Sequence, residues 1–215
     1  APLVENATIV VGNDGRISAI GQNVSIPQNA EVISLAGKYI LPGFINAHGH
    51  INSFWDEPGD EDIYDYMRSS LKRYARYGVT TVNSLGDTSE LIEIRDNEAG
   101  TEGMARVLAS GPRVVARTTE LAAEDTQMII ATGVDSIKIG IDDALGMEYK
   151  MPWDAAQAVH DTAEANGLSV AAHMFYLEDT KRLLEMGTHI LAHSVRDETA
   201  DGKFLNLMRS RNASG

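Results

Sequence analysis

The stretch "LPGFINAHGHI" (residues 41–51) closes an apolar run with two histidines one residue apart. Alternate residues on a strand share a face, so His48 and His50 point the same way, roughly 7 Å apart along the chain, close enough for both rings to meet on one ion. A His-x-His pair also occurs in solvated loops, so its meaning depends on what the rest of the chain brings to the same place.

From residue 38 onward the chain alternates strand-like runs with amphipathic helical stretches, the pattern of βα units and a parallel sheet. The expected strands are "YILPGFINAH" (39–48), "GVTTVNSLG" (78–86), "ARVLAS" (105–110), "VDSIKIGI" (134–141), "LSVAAHM" (168–174) and "HILAHSV" (189–195). Helices are expected near 61–77, 88–98, 118–132, 154–166, 178–186 and 200–210. The fifth unit shows the logic. Pro152 sits at a helix start, Trp153, Ala156, Val159 and Ala163 recur at helical spacing, and Asn166-Gly167 is a stop.

Residues 1–37 read differently. "ATIVVG", "RISAIG" and "EVISLAG" are short β-rich runs, with Asn13-Asp14-Gly15 between the first two as a hairpin turn. The division is therefore part of a small β domain over 1–37 and a βα domain over 38–215. Six parallel units suit either an open doubly wound sheet or part of an eight-unit barrel. No Gly-rich phosphate loop is present, because the glycines of "GNDGRISAIG" belong to a hairpin with no helix after it.

The polar residues within the strands narrow the choice. In "VDSIKIGI" alternation puts Ile137, Ile139 and Ile141 on one side and Ser136, Lys138 and Gly140 on the other. If the isoleucines face the helices, Lys138 points inward, where an unpaired ammonium costs several kcal/mol and needs an anion, a neutral state or a chemical modification. A lysine reaching solvent at the strand end is the plainer reading of that residue alone. His173 and His193 likewise fall late in their strands. Barrel active sites lie at the carboxyl ends of the strands, and four histidines and a lysine at that end of four strands point to a metal site more readily than to packing. His160, mid-helix, and His189, at a strand start, read as structural.

Composition narrows the partners. The 215 residues carry 18 basic and 31 acidic side chains, a formal net charge of −13, which disfavours nucleic acid and anionic membrane surfaces. Without cysteine there is no disulfide, thiolate ligand or Cys nucleophile, so any metal rests on His, carboxylate or a modified side chain. No run reaches the roughly 18 to 20 apolar residues of a membrane span. The first residues lack a signal-peptide layout, and the compartment stays open because a signal is removable.

"GKYILPGFINAHGHI" (37–51), "GVTTV" (78–82), "DSIKIGIDD" (135–143), "VAAHMF" (170–175) and "LAHSVRD" (191–197) together resemble the amidohydrolase superfamily, in particular its imidazolonepropionase-like and prolidase-like branches. The resemblance implies an α/β fold, a TIM-type (β/α)8 barrel with a small β-sandwich domain. It also implies a site where His48 and His50 bind one metal, His173 and His193 a second, and Lys138, carboxylated by carbon dioxide, bridges both. Zinc is the default metal. The implied chemistry is hydrolysis of an amide or cyclic amide by a metal-activated hydroxide, with a prolidase-like dipeptide or an N-acyl amino acid as the favoured small-molecule substrate; homo-oligomer formation is left open. The superfamily's strand-eight aspartate, its proton shuttle, would lie beyond Gly215, as would the last two strands, so the catalytic acid–base is unknown.

Tyr176 and Arg196 each follow a strand histidine by three residues, which places them in loops over the site, Arg196 as a candidate partner of a substrate carboxylate and Tyr176 as a donor to that carboxylate or to the oxyanion. Surface pairing of Arg196 with Asp197 or Glu198 is the alternative. Asp142 and Asp143 read as solvated or turn-capping carboxylates outside the ligand set. The acidic "WDEPGDEDIYDY" (55–66) reads as a helix start rather than a lid. Three other functions stay open: a one-metal deaminase, which usually has a glutamate where this chain has Tyr176; a lactone or phosphoester hydrolase; and a non-catalytic binding module.

Overall fold

In the computed structural model of the protein the residues described are 3–51, 59, 61–147 and 149–214. The chain divides into two compact units, Ala1–Pro42 and Gly43–Gly215.

In the first unit, β1 (Thr8–Val11) and β2 (Ile17–Gly21) form an antiparallel hairpin with an irregularity at Val10/Val11. The Asn13-Asp14-Gly15 turn forms as its sequence predicts. Gly15 adopts φ 75°, the Gly12 amide donates to the Arg16 carbonyl at 2.8 Å, and Asp14 accepts from the Arg16 amide at 3.1 Å. "EVISLAG" is not a strand. It has no ladder partner among the described residues, a turn from the Leu35 carbonyl to the Lys38 amide closes it, and Val32 and Ile33 are exposed.

The second unit alternates β3 (Phe44–Gly49), α1 (Ile63–Arg76), β4 (Val79–Ser84), α2 (Glu90–Glu98), β5 (Arg106–Ala109), α3 (Thr119–Ala131), β6 (Ser136–Ile141), α4 (Trp153–Ala165), β7 (Ser169–Met174), α5 (Leu177–Met186), β8 (Ile190–Leu191) and α6 (Gly202–Arg211). The strands form two parallel three-stranded sheets, β3-β4-β5 and β6-β7-β8. Backbone bonds join them at a seam. The Val114 amide donates to the Lys138 carbonyl, the Asp135 amide to the Ala109 carbonyl, both at 2.8 Å, and Val114 forms a parallel bridge with Ile139. The structure is thus α/β with parallel sheets.

Helix boundaries follow local chemistry. Asp62 caps α1 by accepting from the Tyr64 and Asp65 amides, Thr118 caps α3 and Asp201 caps α6. The acidic stretch before α1 therefore does supply a helix start at Asp62; Trp55–Pro58 and Asp60 lie outside the described residues. α4 begins after Pro152 and ends at Asn166-Gly167, with Ala156, Val159 and Ala163 fully buried.

Two strands are shorter than their sequence suggests. β3 starts at Phe44, not Tyr39, because its first rung is the Phe44 amide to the Gly78 carbonyl; Pro42 has no amide to donate, and Tyr39 and Leu41 are exposed. β8 covers only Ile190–Leu191, although the Ala192 amide still donates to the Ala172 carbonyl at 2.9 Å. The core lies between strands and helices, with Ile137, Ile139 and Ile141 wholly inaccessible beside Met67, Leu91 and Leu183. Among the described residues no helix is long and apolar enough to cross a membrane.

Candidate metal centre

His48 ends the inward face of β3, and His50 follows one pleat later, their ring centroids 5.1 Å apart. The glycine between them is sterically required. A β-carbon at Gly49 would lie 2.7 Å from a Val82 methyl and 3.0 Å from the Asn46 amide nitrogen, so a side chain there would push β3 off β4. Beyond His50 the chain is pinned. The Ile51 amide donates to Ser84 Oγ at 3.1 Å and Asp87 Oδ2 at 3.0 Å, and Ser84 bonds the same carboxylate.

On the other sheet β6 and β7 run in unbroken register, pairing Lys138 with Ala171 and Gly140 with His173. As alternation requires, the isoleucines fill the core and Lys138 takes the opposite face. It is only 3% exposed, and its Nζ has no hydrogen-bond partner among the described residues. Burial, reinforced by the positive charge of Arg113, pulls the Lys138 pKa down to about 8. Its charge also depresses His48, His50, His173 and His193, so these five groups of β3, β6, β7 and the β8 end sense one another.

The histidine contacts determine their protonation. His48 Nδ1 lies 2.6 Å from the Ala192 carbonyl, an acceptor only, so Nδ1 carries the hydrogen and Nε2 presents a bare lone pair. That Nε2 is buried and has no partner among the described residues. His173 Nε2 lies 2.9 Å from Asp142 Oδ2, and an ionised carboxylate there requires the hydrogen on Nε2. His173 Nδ1, 2.8 Å from His193 Nε2, is then the acceptor of that pair. The His48 and His193 rings are 4.8 Å apart and those of His173 and His193 4.2 Å. Burial is the main cause lowering all four pKa values, to about 4 for His48 and His193. The imidazoles are therefore neutral near pH 7, the form in which histidine binds metal.

These residues fit divalent ions by donor chemistry rather than as a ready-made cage. Among the described residues no three His, Asp or Glu side chains already stand at ligand spacing, and the direct His173–His193 bond occupies two nitrogens that a metal would separate. Among the described residues the bare His48 nitrogen and the Lys138 amine are two of three buried side-chain groups without a partner, the third being the Ser136 hydroxyl on the Lys138 face of β6.

Tyr176 and Arg196 behave differently from one another. The Tyr176 hydroxyl donates to Asp143 Oδ1 at 2.9 Å, which raises its pKa. Arg196 lies over the Phe175 ring at 5.8 Å, close enough to lower His193, and forms no ion pair with Asp197 or Glu198; Asp197 instead accepts from the Leu177 amide. Three groups that the sequence reading left out of the site do reach it: Asp142 through His173, Asp87 through the chain after His50, and Arg113 beside Gly140 and Lys138. Asp142 was findable, since positions 138, 140 and 142 share a parity and hence a strand face. His160, by contrast, is fully satisfied inside the fold, bonding the Ala156 carbonyl and Thr188 Oγ1, both at 2.8 Å.

Comparison with known proteins gives a concordant answer. The dihydroorotase of Mycobacterium tuberculosis is 31% identical over 154 residues, covering 71% of this chain and 32% of that protein. A solved structure from Bifidobacterium longum, provisionally assigned as a prolidase, superposes with a TM-score of 0.80 at 29% identity, covering 94% of this chain and 52% of that one. A Xaa-Pro dipeptidase with bound methionine in its active site shares the fold at a TM-score of 0.75 and 20% identity, covering 96% and 60%. The chain thus spans about a third of the length of that dihydroorotase and between half and two thirds of the solved chains. The model of the amidohydrolase family matches residues 39–208, which take in all five converging side chains, and the chain belongs to that family.

Proposed function

We propose that this chain forms most of the metal site of a metal-dependent hydrolase that cleaves an amide bond. In this reading its six βα units are consecutive members of a (β/α)8 barrel, and the unit before Gly43 is part of a β-sandwich domain. His48 and His50 hold one divalent ion, His173 and His193 a second, with zinc as the expected metal. Lys138, carboxylated, bridges them.

The observation that carries the reading is the Lys138 amine: 3% exposed, unpartnered among the described residues, and electrostatically coupled to four imidazoles whose pKa values burial lowers. An ammonium there is uncompensated, whereas a carbamate is an anion matched by divalent cations. A lysine with its pKa near 8 also has more free amine at neutral pH than an ordinary lysine, and it is the free amine that attacks carbon dioxide, losing a proton as the carbamate forms. The bound ions would supply Lewis-acid polarisation of the scissile carbonyl and an acidified water. The chain's own residues prepare that site. The Ala192 carbonyl fixes the His48 tautomer, Asp142 fixes that of His173, and the Ser84–Asp87 pair fixes the path of the chain beyond His50.

The favoured substrates are dipeptides of the prolidase type and N-acyl amino acids, supported by the prolidase-like structural neighbour. Cyclic amides are the second reading, supported by the dihydroorotase relatives. Metal analysis joined to a hydrolysis panel of Xaa-Pro dipeptides, N-acyl amino acids, cyclic amides, lactones and phosphotriesters separates them. Lys138→Ala is expected to lower metal content and abolish turnover, and the wild type to give a carbamate carbon signal after loading in carbon-13 bicarbonate. Unchanged metal stoichiometry and activity in Lys138→Ala would overturn the bridged site.

A further inference from the structure

Between β5 and β6 the chain runs through "SGPRVVAR" (110–117), anchored by Val114, which is buried and bridged to Ile139. That anchor fixes the residue before it. The Arg113 guanidinium lies flat on Gly140: a β-carbon there would stand 3.1 Å from Nη1, 3.4 Å from Cδ and 3.5 Å from Cζ. Gly140 shares a face with Lys138 and pairs in register with His173, so the guanidinium sits beside two of the proposed ligands at the carboxyl end of β6. Its charge depresses both of them.

Arg113 is solvent-accessible and makes no ion pair or hydrogen bond among the described residues, in a chain of net charge −13. Six other arginines are engaged: Arg68 and Arg95 by carboxylates, Arg117, Arg182 and Arg196 on aromatic rings, and Arg211 by the Glu185 carbonyl. The hydroxyl of Tyr176 is already given to Asp143. A planar fork of donors, held open over a glycine at the mouth of a hydrolytic site, matches one ligand chemistry in particular, a carboxylate bound bidentately.

We infer that Arg113 binds the free carboxylate of the substrate and makes this site selective for amides of amino acids over neutral amides. The inference rests on the amide-hydrolase reading and narrows it. Arg113 determines specificity by pairing with a part of the substrate remote from the bond that breaks, so its effect falls mainly on KM. Gly140 serves the same purpose indirectly, because any side chain at that position displaces the guanidinium by a few tenths of an ångström.

The test compares the best N-acyl amino acid or dipeptide with its carboxamide on zinc-loaded protein. A charge-assisted bidentate pair predicts a preference of about 10- to 100-fold in kcat/KM for the acid. In Arg113→Ala that ratio should collapse to within a few-fold of one, and Arg113→Lys should recover part of it as a point charge without the fork. Gly140→Ala, which keeps the charge, should reduce the ratio to an intermediate value. Calorimetric titration with L-proline and L-prolinamide reads the same contrast without turnover, so a wild type inactive on every amide would sink the hydrolase reading while the titration still judged Arg113. Three results would overturn the assignment: an unchanged ratio in Arg113→Ala, equal losses on acid and carboxamide, or no discrimination between proline and prolinamide by the wild type.

Discussion

The two three-stranded sheets of the second unit are built to different standards. β6 and β7 pair over six consecutive residues without a break, and Ile137, Ile139 and Ile141 are wholly inaccessible. β3 and β4 shift register twice, and Phe44 and Ile45 are 66% and 70% exposed. The proposed ligands divide along the same line, with His48 and His50 on the looser sheet and Lys138, His173 and His193 on the tighter one. Close packing on one side surrounds the lysine, while the histidine pair depends on local clamps: Gly49 against Val82, and the Ile51 amide on Ser84 and Asp87. A site can thus be precise in one half by packing and in the other by hydrogen bonds.

The contrast breaks most readily under equivalent truncations. Ile139→Ala empties a fully packed position and should cost about 2–5 kcal/mol in denaturant unfolding, whereas Ile45→Ala should stay within about 0.5 kcal/mol. Similar losses at both positions would mean that the sheets are equally packed in solution. A smaller effect is expected where the tight half also uses a hydrogen bond. Asp142→Ala removes the acceptor that fixes His173 and should weaken zinc binding by about 10- to 100-fold in a calorimetric titration.

The smallest effect concerns pH. Burial holds His160 below its ordinary pKa, so the unfolded chain takes up that proton first and stability falls as the pH drops below about 6.5. The metal-free site histidines contribute in the same direction. His160→Gln should reduce the slope of unfolding free energy against pH between 6.5 and 5 by at most about 1.4 kcal/mol per pH unit, the value for one proton. An unaltered slope in urea titrations of metal-free protein would mean that His160 protonates as readily in the fold as outside it.

Much of this was legible from the sequence because periodicity and punctuation are local. Each helix of the second unit lies within a few residues of its expected span, and the stop at Asn166-Gly167 is where α4 ends. Apolar content alone does not make a strand: "EVISLAG" and Tyr39–Leu41 have strand composition but no ladder among the described residues. The histidines and Lys138 stood out through strand alternation. Asp87 and Arg113 did not, because each acts through a fold contact, one with the Ile51 amide and the other with Gly140, that no spacing rule encodes. Asp142 was hidden by the rule that paired loop carboxylates are usually solvated.

The seam at Val114 bears on motion. Its amide hydrogen bonds the carbonyl of Lys138, and with the Asp135 amide it supplies backbone rungs that join the two sheets. Any breathing that parts the sheets frees these two amides to exchange with solvent deuterium before the rungs of β6 and β7 do. The carbonyl released in that opening belongs to Lys138 itself, so the most buried side chain of the proposed site is tied through its own backbone to a rung of the seam. Metal loading, by joining side chains from both sheets, would slow exchange at Val114 and Asp135 as a direct mechanical consequence.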